Sequence, residues 1–270
     1  MCTFTAQMFY IIIIISIALV YYLIWRPKKV EVKPFPEPWT EILEENVSYY
    51  RHLPDVRKSV FRQRMMKLLS EIKITGIKTQ VEELDTVLIA ASAVIPVFGF
   101  DEWEYAHLEE VLLYPTVFNE GHQFDDQSED KQILGMVGSG YMNGKMILSR
   151  NALRNGFKNH TDKNNTAIHE FVHLLDKEDG DIDGVPQVLI NYQYTIPWLD
   201  LIRLKMEEIN NDKSDIRNYG GTSKTEFFAV ASEYFFERPD QFRRKHPELY
   251  KMMEKCFRQN PKYSAVKKKK

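Results

Sequence analysis

Thr166-Ala167-Ile168-His169-Glu170-Phe171-Val172-His173-Leu174-Leu175-Asp176 is the stretch from which the rest of this 270-residue chain is best read. Two histidines stand four positions apart, with a glutamate directly after the first. On an α-helix, positions i and i+4 share one face, so both imidazoles can reach a single metal ion. Glu170 then lies one position round, close enough to touch a water on that ion. Two nitrogen ligands, an open coordination position and an adjacent base are what a zinc hydrolase requires. Ile168, Val172 and Leu175 fall at helical spacing and predict a core-facing side. Polar Asp162 to Thr166 offers helix caps, and Asp176 to Gly180 predicts the helix end. The rival reading is a surface helix with two solvated histidines. The apolar flanks disfavour it, because imidazoles beside buried residues need partners.

Two histidines rarely hold a catalytic zinc alone, and a third protein ligand is expected. A histidine six positions after His173 is absent, since that position is Asp179. The later His246, beside Pro247 in a charged stretch, reads as exposed. With only Cys2 and Cys256 in the chain, thiolate ligation is not implied. A carboxylate from a downstream helix is the better expectation. Glu226 and Glu233 both qualify, seven apart on one predicted helix and set among Phe227, Phe228, Ala229, Tyr234, Phe235 and Phe236. A carboxylate in such surroundings needs a cation to remain charged. Ser223-Lys224-Thr225-Glu226 is also a capping-box pattern, in which the glutamate merely closes the helix start. The residues alone leave both open, with Glu226 ahead and Glu233 as the partner of a ligand histidine.

The net charge of -2 gives no sign of direct nucleic-acid binding. Thr3 to Trp25 is uncharged and includes Ile11 to Ile15 without interruption. As a helix it would span about 34 Å, enough for a bilayer. No positive start or small-residue cleavage site marks it as a signal peptide, so an uncleaved anchor is expected. Arg26, Lys28, Lys29 and Lys33 follow it, which predicts a single-pass membrane protein with its C-terminal part facing the cytoplasm. The domain plan is therefore a transmembrane anchor at 1–25, a proline-rich linker at 26–38 and a zinc metallopeptidase domain at 39–262. A basic tail at 263–270 completes it.

Along the domain, residues 49–72 read as helical, and 86–95 as a buried helix. Val111 to Tyr114 reads as a strand ended by Pro115. Asn143-Gly144 predicts a tight hairpin turn between 138–142 and 145–148. In zinc peptidases an edge strand near the metal helix commonly receives the substrate backbone. Residues 198–209 and 225–238 complete the helices. Asp179-Gly180-Asp181-Ile182-Asp183-Gly184 opens like a calcium loop, but loop position twelve is Ile190 and the pattern fails. This acidic loop is expected near the site mouth, where it could attract an amino terminus.

The motif at 169–176, Asp183-Gly184-Val185-Pro186, Glu226-Phe227-Phe228-Ala229-Val230 and Ser232 to Phe236 together resemble the Mlc titration factor A family. Val111 to Pro115 adds to the likeness, which covers roughly 39–261. The resemblance implies a compact zincin-like fold and a zinc-dependent peptidase with aminopeptidase activity. It implies Glu226 as the third ligand beside His169 and His173, with Glu170 as catalytic base. It also implies that Tyr219, seven residues before Glu226, sits near the metal, where its phenol could donate to a developing oxyanion. Family members bind a glucose-responsive transcriptional repressor. The expected fold is thus α+β, with a small sheet and edge hairpin packed on helices, preceded by a single transmembrane helix. The expected partner is a peptide or protein substrate. The alternative is a non-catalytic, zinc-stabilised module that captures a repressor at the membrane.

Overall fold

The computed structural model describes residues 13–16, 21, 31–116, 135–137, 144–159, 162–177, 180, 182–186 and 192–261. They fall into two units, one up to Val32 and one from Lys33 onward. In the first, residues 13–16 and 21 are helical. The rest of the anchor expected at 1–25 lies outside the described residues, as do the lysine tail and the loop at 121–130.

Among the described residues, no helix is long and apolar enough to cross a membrane. A span needs about 20 consecutive apolar residues. The longest described helix, Tyr192–Asn210, carries Asp200, Arg203, Lys205, Glu207 and Glu208. The expected transmembrane helix, and the single-pass, cytoplasm-facing localisation that rested on it, are therefore not supported.

The second unit is mostly helical. Helices α1 (Trp39–Asn46), α2 (Ser48–Arg51) and α3 (Asp55–Glu71) lead into strand β1 (Lys73–Gly76). The single helix expected over 49–72 is broken at His52-Leu53-Pro54, where Pro54 adopts an extended backbone with ψ of 151°. Helix α4 (Glu83–Val97) is apolar on every side and almost wholly buried, as its alanine-rich sequence demands. Its start is fixed by a reciprocal pair: Glu82 accepts from the third-position backbone, and the Glu82 N–H donates to Asp85 at 3.0 Å.

Strands β2 (Glu110–Tyr114), β3 (Gly135–Val137) and β4 (Lys145–Ser149) complete a sheet of order β1-β2-β4-β3. The first three strands in that order run parallel, and β3 joins antiparallel at the edge. The continuous apolar runs Val111-Leu112-Leu113 and Met146-Ile147-Leu148 suit parallel strands buried on both faces. The three parallel strands are joined by crossovers, whereas β3 and β4, consecutive in the chain and antiparallel with Val137 opposite Met146, form a hairpin at the edge of the sheet. The Gly144 carbonyl accepts from the N–H groups of Glu109 at 2.7 Å and Glu110 at 3.0 Å, which ties the entry of β4 to β2. Asn143 and 138–142 lie outside the described residues.

Helices α5 (Arg150–Lys158), α6 (Thr166–Asp176), α7 (Tyr192–Asn210), α8 (Lys224–Glu237), α9 (Pro239–Lys245) and α10 (Pro247–Phe257) follow, with a 3-10 turn at Asn218–Gly221. Helix α6 is central: it packs against α8, α4, α5 and strand β3. Aromatic rings of α8 and α10 fill the space behind it, with Phe235 and Phe257 stacked at 5.6 Å and Phe228 and Phe257 at 5.8 Å.

Candidate active site

All eleven residues of α6 are buried, including His169, Glu170 and His173. The helix starts where Asn165 accepts the Ile168 N–H on its side-chain oxygen at 3.1 Å. Both histidines emerge on one face, with ring centroids 4.7 Å apart.

Helix α8 faces them. The Ser223 hydroxyl caps it by accepting the Glu226 N–H at 3.1 Å. The capping box implied by the sequence is used on that side, but the Glu226 carboxylate turns to the histidines. Its Oε2 lies 2.9 Å from His169 Nε2 and 3.7 Å from His173 Nε2. One ligand atom each from His169, His173 and Glu226 falls within 4.8 Å of the other two. Glu233 stands two turns further along, without solvent exposure, and its Oε1 is 2.8 Å from His169 Nδ1. The two glutamates thus take opposite nitrogens of one imidazole.

This arrangement fits a metal ion. With Nδ1–H donated to Glu233, His169 presents a lone pair at Nε2, directly opposite a carboxylate oxygen. Two acceptors that close are reconciled only by a cation between them, either a proton or a metal. When a proton takes that place, burial opposes the charge on His169, but hydrogen bonds to Glu226 and Glu233 prevail and push it up to about 10. Burial likewise works to raise Glu226, yet His169 and His173 hold it well below the usual carboxylate range. The donors are two imidazole nitrogens and one carboxylate oxygen, a set suited to a four-coordinate divalent ion with one position left for water.

Glu170 is 6% exposed, and burial raises its carboxyl against the opposing pull of His169 and His173. A raised carboxyl is what a base working near neutrality needs. Tyr219, in the 3-10 turn, is 50% exposed, and its ring centroid is 6.0 Å from that of His169. Its hydroxyl hydrogen-bonds toward Glu226, and burial together with that carboxylate pushes the phenol up to about 12.

The described part of the acidic loop closes on the same place. The Gly184 N–H donates to Asp176 at 2.8 Å, and its carbonyl accepts from Trp198 Nε1 at 2.8 Å. Gly184 has φ of +78°, and a Cβ there would lie 2.5 Å from the Lys224 carbonyl oxygen, so only glycine brings the loop against the start of α8. Gly184 is thereby set against Lys224 and Thr225 at the start of α8, and Asp183 before it is exposed.

Sequence reasoning missed the surroundings of this centre. His246 is not exposed as expected; it is 5% exposed and its Nε2 lies 2.8 Å from Asp215. Asp215 also accepts from Lys163 at 2.7 Å, Tyr234 at 2.7 Å, Lys245 at 3.0 Å and Gln241 at 3.3 Å. Arg217 donates to Glu233, as does the Asn165 backbone N–H. Scattered polar residues in a loop give no pattern from which these contacts could be read.

A model of the glucose-regulated metallo-peptidase M90 family matches residues 22–258. The chain is 27% identical over 253 residues to Mlc titration factor A of Escherichia fergusonii, covering 88% of this chain and 91% of that protein. It is 28% identical over 244 residues to Mlc titration factor A of Cronobacter sakazakii, covering 84% and 87%. An uncharacterized protein of Synechocystis is 26% identical over 247 residues, covering 88% and 89%.

Proposed function

The chain belongs to the glucose-regulated metallo-peptidase M90 family, and on that footing we propose that it is a zinc-dependent peptidase of the aminopeptidase kind. The observation that carries the reading is the meeting of His169, His173 and Glu226 within 4.8 Å, with Glu170 beside them on α6. Imidazole and carboxylate without thiolate favour zinc over magnesium or calcium, which prefer all-oxygen sites.

Bound there, zinc would acidify a water and polarise the scissile carbonyl. His169 and His173 offer Nε2, and Glu226 offers Oε2. Glu233 keeps the proton of His169 on Nδ1, which leaves the lone pair of Nε2 directed inward. Glu170 takes the proton of the attacking water on its carboxylate and delivers it to the leaving amine nitrogen. Tyr219 donates its phenolic O–H to the substrate carbonyl oxygen as charge builds there. Strand β3 packs beside α6 and has one pairing partner among the described residues, so its other edge can take the substrate backbone as an added strand. Exposed Asp183, next to the glycine that meets the start of α8, would attract a positively charged amino terminus, in keeping with exopeptidase action.

Turnover of chromogenic aminoacyl substrates tests this directly. Hydrolysis should cease with a chelator and return with zinc. Protein that binds zinc yet cleaves neither aminoacyl substrates nor a peptide library would sink the catalytic reading. A second reading would then stand, in which the metal stabilises a module that binds a repressor, as the name Mlc titration factor A suggests for the relatives.

A further inference from the structure

We infer that Arg217 is a positioning residue for the metal centre, acting through Glu233 on His169. The inference rests on the assignment of His169, His173 and Glu226 as ligands. Asp215, Arg217 and Tyr219 are alternate residues of one segment, and each reaches a different anchor. Asp215 gathers Lys163, Tyr234, Gln241, Lys245 and His246. Arg217 Nη2 donates to Glu233 Oε1, the same oxygen that lies 2.8 Å from His169 Nδ1. Tyr219 turns to Glu226. The other Glu233 oxygen, Oε2, accepts the Asn165 N–H at the start of α6.

Glu233 is therefore braced on both oxygens, and Arg217 supplies the one permanent positive charge in that brace. Without it, Oε1 loses one of its two donors. A fully buried carboxylate is then left without its cation, while Glu237 lies one turn further along α8. The rotamer that aims Oε1 at Nδ1 loses its support. The guanidinium also repels a cation at the centre, but the Glu233 carboxylate lies between and offsets that repulsion. Orientation decides the sign: losing Arg217 weakens metal binding. Outer partners of ligand histidines are worth about 10- to 100-fold in metal affinity.

The test is a double-mutant cycle on zinc affinity, read by competition with a chromophoric chelator on the full chain. Arg217→Met should weaken zinc about 10-fold or more, and Arg217→Lys, which keeps the charge, should recover part of that loss. In a Glu233→Gln background, the same Arg217→Met change should cost less than about 2-fold. Equal losses in both backgrounds would mean that Arg217 acts on the fold at large, and unchanged or tighter binding in the single variant would equally overturn the inference. Should Arg217→Met fail to fold, Arg217→Gln takes its place in the cycle. Wild-type protein that takes up no zinc would instead remove the ligand assignment itself, a result distinct from failure of the Arg217 role.

Discussion

Replacing Asp215 with asparagine keeps the shape of the side chain and removes one lone-pair-bearing oxygen and the charge. Oδ2 accepts from Lys163, Tyr234, Lys245 and Gln241, and Oδ1 faces His246 Nε2 at 2.8 Å. Lys245 is 45% exposed and the Gln241 contact is long, so solvent and distance reduce both to little. Lys163 is 15% exposed and His246 5%, and with Tyr234 they carry the effect. Hydrogen bonds to charged groups are worth about 1.5–3 kcal/mol each, and they do not simply add. With Asp215 itself 22% exposed, a loss of about 2–4 kcal/mol is expected, a large share of a total near 5–15 kcal/mol. Urea unfolding at pH 7 measures it. The pH dependence follows from the native carboxyl: burial raises it, but Lys163, Tyr234, His246 and Lys245 together hold it well below the usual range. A depressed carboxyl stabilises above its unfolded value of about 3.9, and the benefit disappears as pH falls through the native value. The gap between wild type and variant should therefore persist from pH 8 to pH 5 and shrink below about pH 4. A loss under about 1 kcal/mol, or a gap undiminished at pH 3, would refute the account of Asp215 as a charged hub.

Glu170→Gln should retain zinc by metal analysis while turnover falls by at least about 100-fold; preserved turnover would rule Glu170 out as the base. Glu226→Ala should lose stoichiometric zinc after dialysis, whereas Glu233→Ala should keep a site weakened about 10- to 100-fold, and the reverse order would exchange their roles. Glu237, pushed up to about 9 chiefly by burial and then by Glu233, is neutral in the fold where the unfolded chain would ionise. The penalty for holding it protonated therefore vanishes below about pH 4 and grows progressively up to about pH 9. Glu237→Gln should raise thermal stability by about 1–3 kcal/mol at pH 8 and by less at pH 5, and equal gains at both would contradict the assignment.

Helix α6 and its candidate ligands were legible because their information is local: two histidines, a glutamate and the apolar flanks lie within a few turns. The downstream helix was legible as a carrier of a carboxylate, but residue type could not divide the work between Glu226 and Glu233. Both are glutamates among aromatics, and only the facing of α8 on α6 decides which nitrogen each one meets. The parallel sheet was within reach, since Val111 to Leu113 and Met146 to Leu148 are continuous apolar runs. The edge hairpin was legible because turn chemistry such as that of Asn143-Gly144 is local, whereas the hold of β2 on the Gly144 carbonyl is not. Asp215 and Arg217, in Asn211 to Arg217, look like any solvated loop. Their partners are distant in the chain, Lys163 by 52 positions, so no spacing announces them.

His169 and Glu226 are separated by 57 positions, which orders events in time as well as space. A ribosome adding about 5–20 residues per second delivers the histidines some 3–11 s before the glutamate. Throughout that interval the nascent chain presents His169 and His173 without the carboxylate that faces them in the fold, so the proposed donor set is incomplete. The three donors meet only when α8 docks on α6, so assembly of the candidate site is written into the sequence order of its parts.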